Sequence, residues 1–485
     1  MNKNDRIIVL VICTMIFLVF FGIFIKPEYA LDTYVILNNP VKHIIGALSQ
    51  GRFLKGLFYV FILNNGMSFS IKYIVSYILA MICTIISIFK LNSIISKNIT
   101  NKIISLIIST LIIINPFSIE LMLFYEKGIM WLGVLSTVYA LDFFIKFLEE
   151  KKKKNILLSM LFMIISVFSY QGVSSLFLSL AALYIIKRYK NIKSFIVNNI
   201  YMGLIYAIPA IINVMIVRFI FVDSRVSGKI IIIDTIKAIV NQIPSMLHSF
   251  YILPGVTFII AILCVFLLLL FSVFVYTKKK KKLLILLGAI YAIIVNFMGT
   301  IAPQLLQNTE SVWLVPRATY AFGATIGIII LYSYLNTNIQ DNIKINKLLC
   351  ILIIPFMFIQ IYGFYSISIE HYITNYKDKM NALDIGKKIR DYEQETGKKI
   401  KYITYSEDRS KSYTYPIITG KKDTNLSALS YEWSTIDAIN YYNGINLKQK
   451  KPSKRIKEDC SKTNTDDFDI DKSIIEKNVF NYCGF

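Results

Sequence analysis

Residues 162–183 read FMIISVFSYQGVSSLFLSLAAL, an apolar and small-residue run with Tyr170-Gln171-Gly172 at its centre. Basic residues close it on both sides: Lys151 to Lys154 before it, and Lys187, Arg188 and Lys190 after it. Short Lys/Arg runs between apolar segments mark the cytoplasmic side of a membrane protein. Two inside runs require an even number of crossings between them, so residues 156–186 must go out and come back. Each arm holds about 15 residues, or roughly 22 Å of helix, against a hydrocarbon core of about 30 Å. The tip is therefore expected to turn within or just below the outer leaflet. Irregular backbone survives at that depth only against protein or a wet cavity. Tyr170 and Gln171 are accordingly expected to face a cavity that opens outward. The plain alternative is a Gln that only caps a tight turn.

The rest of the chain follows the same logic. Its 485 residues are 55% hydrophobic, with a mean hydropathy of +0.57, too apolar for a soluble protein of this length. The net charge of +23 does not indicate nucleic acid, because much of the Lys and Arg sits in short runs between apolar stretches. With the N-terminus inside, spans are expected near 7–25, 71–89, 103–123, 128–147, 156–169, 172–186, 196–217, 256–276, 283–302, 319–335 and 348–365. Every strong Lys run then falls on one side. The fold expected is a polytopic α-helical membrane protein of eleven spans, N-terminus in and C-terminus out, in the cytoplasmic membrane. Residues 1–365 form its membrane domain and residues 366–485 a small α/β extracytoplasmic domain.

The first outside loop has internal order. Asn39-Pro40 reads as an N-cap with Pro at the first helical position. Val41, Ile44, Ile45 and Leu48 follow at helical spacing, the pattern of a helix near 40–52 lying in the interface plane. Phe53 to Leu63 is apolar but too short to cross. In the tail, Tyr376–Glu395 and Leu426–Tyr442 read as helices, and Ile400–Tyr405 and Tyr413–Thr419 as strands. Cys460 and Cys483 lie in this polar segment, in a compartment that permits a disulfide between them. The cysteines show no metal-binding spacing.

The span centres hold almost no ionisable residues, which argues against a pump or antiporter. Charged residues collect instead at outside span ends: Glu28 and Asp32, Arg52, Glu126 and Lys127, Arg218, Asp223 and Arg225, Glu310 and Arg317. Carboxylates beside guanidinium groups at headgroup level suit a substrate with an apolar tail and a phosphate. Arg offers phosphate a planar fork of donors, and a carboxylate can take a proton from an attacking hydroxyl. Charges at span ends also serve simply as interfacial anchors. His43, His248 and His371 are scattered and receive no role.

The order of these pieces resembles the GT-C superfamily of membrane glycosyltransferases. Within it the chain is similar to the bacterial glucosyltransferase family of serotype-converting phages, which modifies O-antigen. The matching stretches are EYALDTY, SQGRFLKGL, NPFSIELMLFYEKG, SYQGVSSLFLSLAAL, VPRATYAFG and NYKDKMNALDIGKKI. The resemblance implies transfer of a hexose, glucose in that family, from a polyprenyl-phosphate donor to a surface glycan or glycolipid on the outer face. It implies Asp32 as base, Arg52 and Arg317 as phosphate ligands, and Tyr170 and Gln171 as lining of the sugar pocket; Glu126 and Lys127 are further substrate-binding candidates from their place among the outside charges. The family often carries two adjacent acids in the first loop, whereas here Thr33 follows Asp32. Glu28 and Asp32 share a face if that loop is helical and lie far apart if it is extended. Which of them is the base stays open, as does a divalent cation, Mg²⁺ or Mn²⁺, between them; no other cofactor is implied.

Three rival readings exist. A glycan polymerase or ligase would place its largest outside loop between spans rather than at the C-terminus. A lipid or glycan flippase would tolerate Asp32→Asn. An envelope scaffold would depend on none of these charges.

Overall fold

The computed structural model describes residues 14, 29–38, 40–63, 67–221, 232–248, 266, 279–336, 343–407, 427–430, 432–454, 456–457, 474–476 and 478–484. Apart from residues 14 and 266, expected spans 7–25 and 256–276 lie outside the described residues. The described residues are mainly helical, and among them five helices are long and apolar enough to cross a membrane: Phe69–Ile95, Lys127–Glu150, Ile192–Ile220, Lys282–Leu306 and Ile353–Thr396. Shorter apolar helices cover Lys102–Ile113, Gln171–Lys187 and Thr325–Asn336. Local chemistry sets several starts. Asn101 accepts hydrogen bonds from the Ile103 and Ile104 amides, and Asn191 and Ser194 form a reciprocal capping box.

The opening stretch forms the expected two-armed unit. Tyr170, with extended backbone, separates the Lys153–Ser169 helix from Gln171–Ser174 and Leu176–Lys187. Both arms contact the Lys127–Glu150 helix. From the first arm, Ser159 donates to the Ala140 carbonyl at 2.8 Å. From the second arm, the Phe177 ring meets that of Phe144 at 5.6 Å. At the far end of the second arm Arg188 donates to the Ile145 carbonyl at 3.1 Å.

The described residues fall into two compact units. One, the helical unit, holds those of 44–122 and 126–364; the other, the tail unit, holds those of 26–43, 123–125 and 365–485. The tail unit contains a four-stranded sheet in the order β2-β1-β4-β3, where β1 is Tyr402–Glu407, β2 Lys448–Lys450, β3 Ile474–Glu476 and β4 Val479–Gly484. β1 runs parallel to β2 and β4, and β3 is antiparallel to β4. Its core gathers Ile385, Ile389, Ile403, Leu429, Ile439 and Phe480. A first-loop helix, Leu31–Asn38, shares that core through Tyr34, which is fully buried. Tyr34 meets the Tyr442 hydroxyl at 2.9 Å, and Asn375 accepts from the Tyr29 amide at 2.7 Å.

Several expectations are corrected. The last span and the first tail helix are one element, Ile343–Thr396. Residues 366–375 turn polar but contain no Gly or Pro, and a change of polarity does not break a helix. The expected strand at 400–405 is β1, two residues later. The expected helix at 426–442 begins as a 3₁₀ turn at Ala428–Ser430 and becomes α-helical only at Glu432. The strand expected at 413–419 lies outside the described residues. The segment after the Ile192–Ile220 helix carries a helix absent from the expected elements, Ile232–His248.

Candidate functional site

The Pro40–Ser49 helix ends in a left-handed turn. Gly51 donates to the Leu48 carbonyl at 2.9 Å and Arg52 to the Ala47 carbonyl at 3.0 Å, the two bonds of a Schellman cap. Gly51 sits at φ 73°, a region that L side chains avoid. A Cβ there would also collide with the side-chain amide of Asn213. The Gly-Arg pair thus has a physical reading: Gly closes the helix, and Arg is the first residue past the cap.

Two buried or half-buried amides hold this turn. Asn213, from the Ile192–Ile220 helix, donates to the Gly51 carbonyl at 2.6 Å. Gln171, from the hairpin tip, donates to the Gln50 carbonyl at 2.8 Å and to the Asn213 side-chain oxygen at 3.4 Å. Gly172 lets the tip press against a third segment, since a Cβ there would come within 2.5 Å of the Arg317 carbonyl oxygen. Tyr170 is buried, and the Arg52 guanidinium lies over its ring at 4.6 Å.

Beside this turn is a cavity of about 90 Å³, roomy enough for several waters. Its polar side is Ser49, Gln50, Arg52, Gln171, Ser174, Asn213 and Gln307. Its apolar side is Val167, Tyr206, Ala210, Val214 and Val217, with Ala302, Pro303 and Leu306. The Arg52 Nε is buried with no hydrogen-bond partner. Among the described residues, the Arg52 guanidinium meets no carboxylate. A cation left in this state between a polar and an apolar wall is suited to an anion that carries a hydrocarbon tail.

The other charged candidates are engaged by protein. Glu126 accepts from the Lys55 ammonium in a buried ion pair and from the Tyr59 hydroxyl at 2.8 Å. Lys127 donates to the Tyr73 hydroxyl at 2.7 Å and lies 3.9 Å from that ring's centroid. Arg317 is ion-paired with Glu120, which also accepts from the Arg317 backbone amide at 2.6 Å. Arg317 lies over Trp313 as well, at 5.1 Å. The cavity lining includes Arg52 and Gln171 but not Glu126, Lys127, Arg317 or Tyr170. Arg218 is exposed at its helix end. Asp142 is held by Lys90 at 2.7 Å and Lys146 at 2.9 Å.

Asp32 is described by its backbone alone, in the Leu31–Asn38 helix. Tyr29 and Ala30, just before that helix, are not helical. Glu28, Asp223, Arg225, Cys460 and the side chains of Glu310 and Cys483 lie outside the described residues. Among the described residues, no group of three His, Cys, Asp or Glu side chains could hold a metal ion.

Sequence reasoning missed Asn213, Gln307 and Glu120. Each had a signal: an amide or carboxylate inside or at the end of an apolar run, where a polar group needs a partner. Glu120 even lies within one of the family-like stretches, NPFSIELMLFYEKG.

The family described as Glucosyl transferase GtrII matches residues 20–328, a stretch that contains the Gly51-Arg52 turn, the hairpin tip, Asn213 and Arg317. No curated protein and no solved structure matches the chain.

Proposed function

The chain belongs to the GtrII glucosyl transferase family, and from that premise we propose that it moves a hexose from a polyprenyl-phosphate donor to a surface glycan or glycolipid. The observation that carries the donor class is Arg52. Its guanidinium stands at the edge of a cavity with an apolar wall, and among the described residues no carboxylate neutralises it. A monophosphate headgroup would complete it, while the isoprenoid tail lies along Val214, Val217, Pro303 and Leu306.

In this reading the acceptor hydroxyl attacks the anomeric carbon. The new C–O bond forms as the bond to the phosphate oxygen breaks, and the phosphate leaves with the electron pair. Arg52 stabilises the charge that grows there. Gln171 and Asn213 supply amide groups to the sugar hydroxyls. The hydroxyl proton goes to Asp32 or Glu28, an assignment that rests on the sequence pattern. Arg317, tied to Glu120, is an auxiliary to the phosphate. The membrane frame is the one expected from the Lys runs: eleven crossings, with the tail and the reacting face outside the cytoplasmic membrane.

The test is hexose transfer by the full chain reconstituted in lipid, with labelled polyprenyl-phosphate hexose and a cell-envelope glycan fraction. A charge-assisted contact is worth roughly 1.5–3 kcal/mol, so Arg52→Ala should lower transfer about 10- to 10²-fold. Arg52→Lys should recover only part, because it lacks the fork. Asp32→Asn should abolish transfer if Asp32 is the base and spare it if Glu28 is. Labelled lipid crossing the bilayer without any transfer would sink the enzyme reading and favour a flippase.

A further inference from the structure

The Ile232–His248 helix presents three faces. Thr235, Ile239 and Met246 are buried against the helical unit. Asp234, Lys237 and Asn241 form a polar face, on which Asp234 and Lys237 approach to 3.7 Å. Between them runs a stripe at i, i+3, i+7 and i+14. Its members Ile233, Ile236, Val240 and Leu247 are 66%, 45%, 54% and 49% exposed. Four large aliphatic side chains on one stripe, open to the surroundings beside a charged face, are unfavourable in water at about 25 cal/mol per Å². They are ordinary in the headgroup region of a bilayer.

The position of the helix says what covers the stripe. It packs against Ala302–Leu306, the end of the apolar Lys282–Leu306 helix. On that element Met298 is 50% and Leu306 37% exposed, and nearby Trp313 is 44% exposed. The stripe therefore belongs to a helix packed on the end of one long and apolar enough to cross a membrane, which has exposed apolar side chains of its own, and Trp313 is the residue type that favours the membrane interface. On the protein side, Gln242 donates to the Val312 carbonyl at 2.6 Å and accepts from the Leu314 amide at 2.8 Å.

We propose that Ile232–His248 is a bilayer-surface helix whose stripe sits in the acyl-chain boundary of the lipid. Through Gln242 it holds the 312–314 backbone, which leads into Pro316-Arg317, at a depth set by the membrane. The inference is independent of the sugar chemistry.

The experiment is tryptophan quenching in the full chain, reconstituted in phosphatidylcholine vesicles with or without brominated acyl chains. Val240→Trp and Lys237→Trp are each read as the difference from wild type, which has three Trp of its own. Emission from Val240→Trp should fall by about half with bromines placed roughly 5–10 Å below the headgroup boundary, and aqueous iodide should leave it unchanged. Lys237→Trp should show the reverse. Ile236→Trp, on the same stripe, gives the reading if Val240→Trp does not fold. Quenching of the stripe position by iodide alone would place it in water. Quenching by neither agent would mean protein covers it, either residues 249–278 or a second copy. Either result overturns the proposal.

Discussion

The two units handle buried charge in opposite ways. In the helical unit each of three buried carboxylates meets a cation: Glu120 meets Arg317, Glu126 meets Lys55, and Asp142 meets Lys90 and Lys146. In the tail unit Asp378, equally buried, accepts from the Ser427 hydroxyl at 2.5 Å and the Ala428 amide at 2.7 Å. Among the described residues it meets no cation. Burial pushes its carboxyl up to about 7, with the two hydrogen bonds acting in the opposite direction. Asp378 lies well beyond the roughly 20 residues of the Ile343–Thr396 helix that a bilayer holds. In the helical unit Arg52 is comparable, a cation whose guanidinium meets no carboxylate among the described residues. The lesson is about response. A charge neutralised inside the protein holds structure, and a charge without a counter-ion is free to answer to something external, a proton at Asp378 and a ligand anion at Arg52.

The strongest challenge to that contrast is Glu126→Ala. It leaves the Lys55 ammonium buried without its partner, which should cost about 3–5 kcal/mol of stability. Thermal unfolding in detergent would register the loss, and the double change Lys55→Met with Glu126→Leu should restore much of it. If Glu126→Ala unfolds like wild type yet loses transfer, the pair belongs to the chemistry and the division fails.

The next effect is pH dependence in the tail. Because the folded carboxyl of Asp378 titrates above its unfolded value, the folded state binds more protons between about pH 4 and 7. Its stability therefore falls as pH rises through that window. Across pH 5–8 the fall should be about 2–3 kcal/mol, read by circular dichroism melts of the full chain. Asp378→Asn should flatten the profile. A stability that rises with pH and is insensitive to Asp378→Asn would refute the assignment.

A smaller effect is expected at Gly51, which shapes the unneutralised cation's surroundings. Gly51→Ala adds about 1–2 kcal/mol of left-handed strain and a collision with Asn213. Donor KM should rise about tenfold, with the turnover of bound donor less affected. Adding Asn213→Ala removes the collision but not the strain, so recovery should be partial. Unchanged KM in Gly51→Ala would mean that the turn does not present Arg52 to the donor.

Much of this arrangement was legible in the residues. The Lys runs around Phe162–Leu183 led to the expectation of two short apolar arms parted at Tyr170-Gln171-Gly172, and the helices do divide at Tyr170; the bond from Gln171 to the Gln50 carbonyl was not foreseen. Gly51-Arg52 was readable as a helix end. Arg317 and Glu126 were found as charges, but their partners were not. Glu120 and Lys55 lie 197 and 71 positions away along the chain, and no periodicity links such distances. Asn213 was passed over for the same reason: a single amide in an apolar run has no visible purpose until Gly51 is beside it.

What the sequence alone determined is therefore local and periodic: the apolar segments, their Lys-rich borders, the caps and the glycine turn. These follow from bilayer thickness, helix rise and backbone sterics, all of which act over a few residues. Only the tertiary structure decided which charges are neutralised and which are not. It also placed Tyr34 from the first loop in the core of the tail. A buried charge is stabilised by whatever partner folding brings within a few ångströms, and that partner is chosen by packing rather than by neighbourhood in the chain.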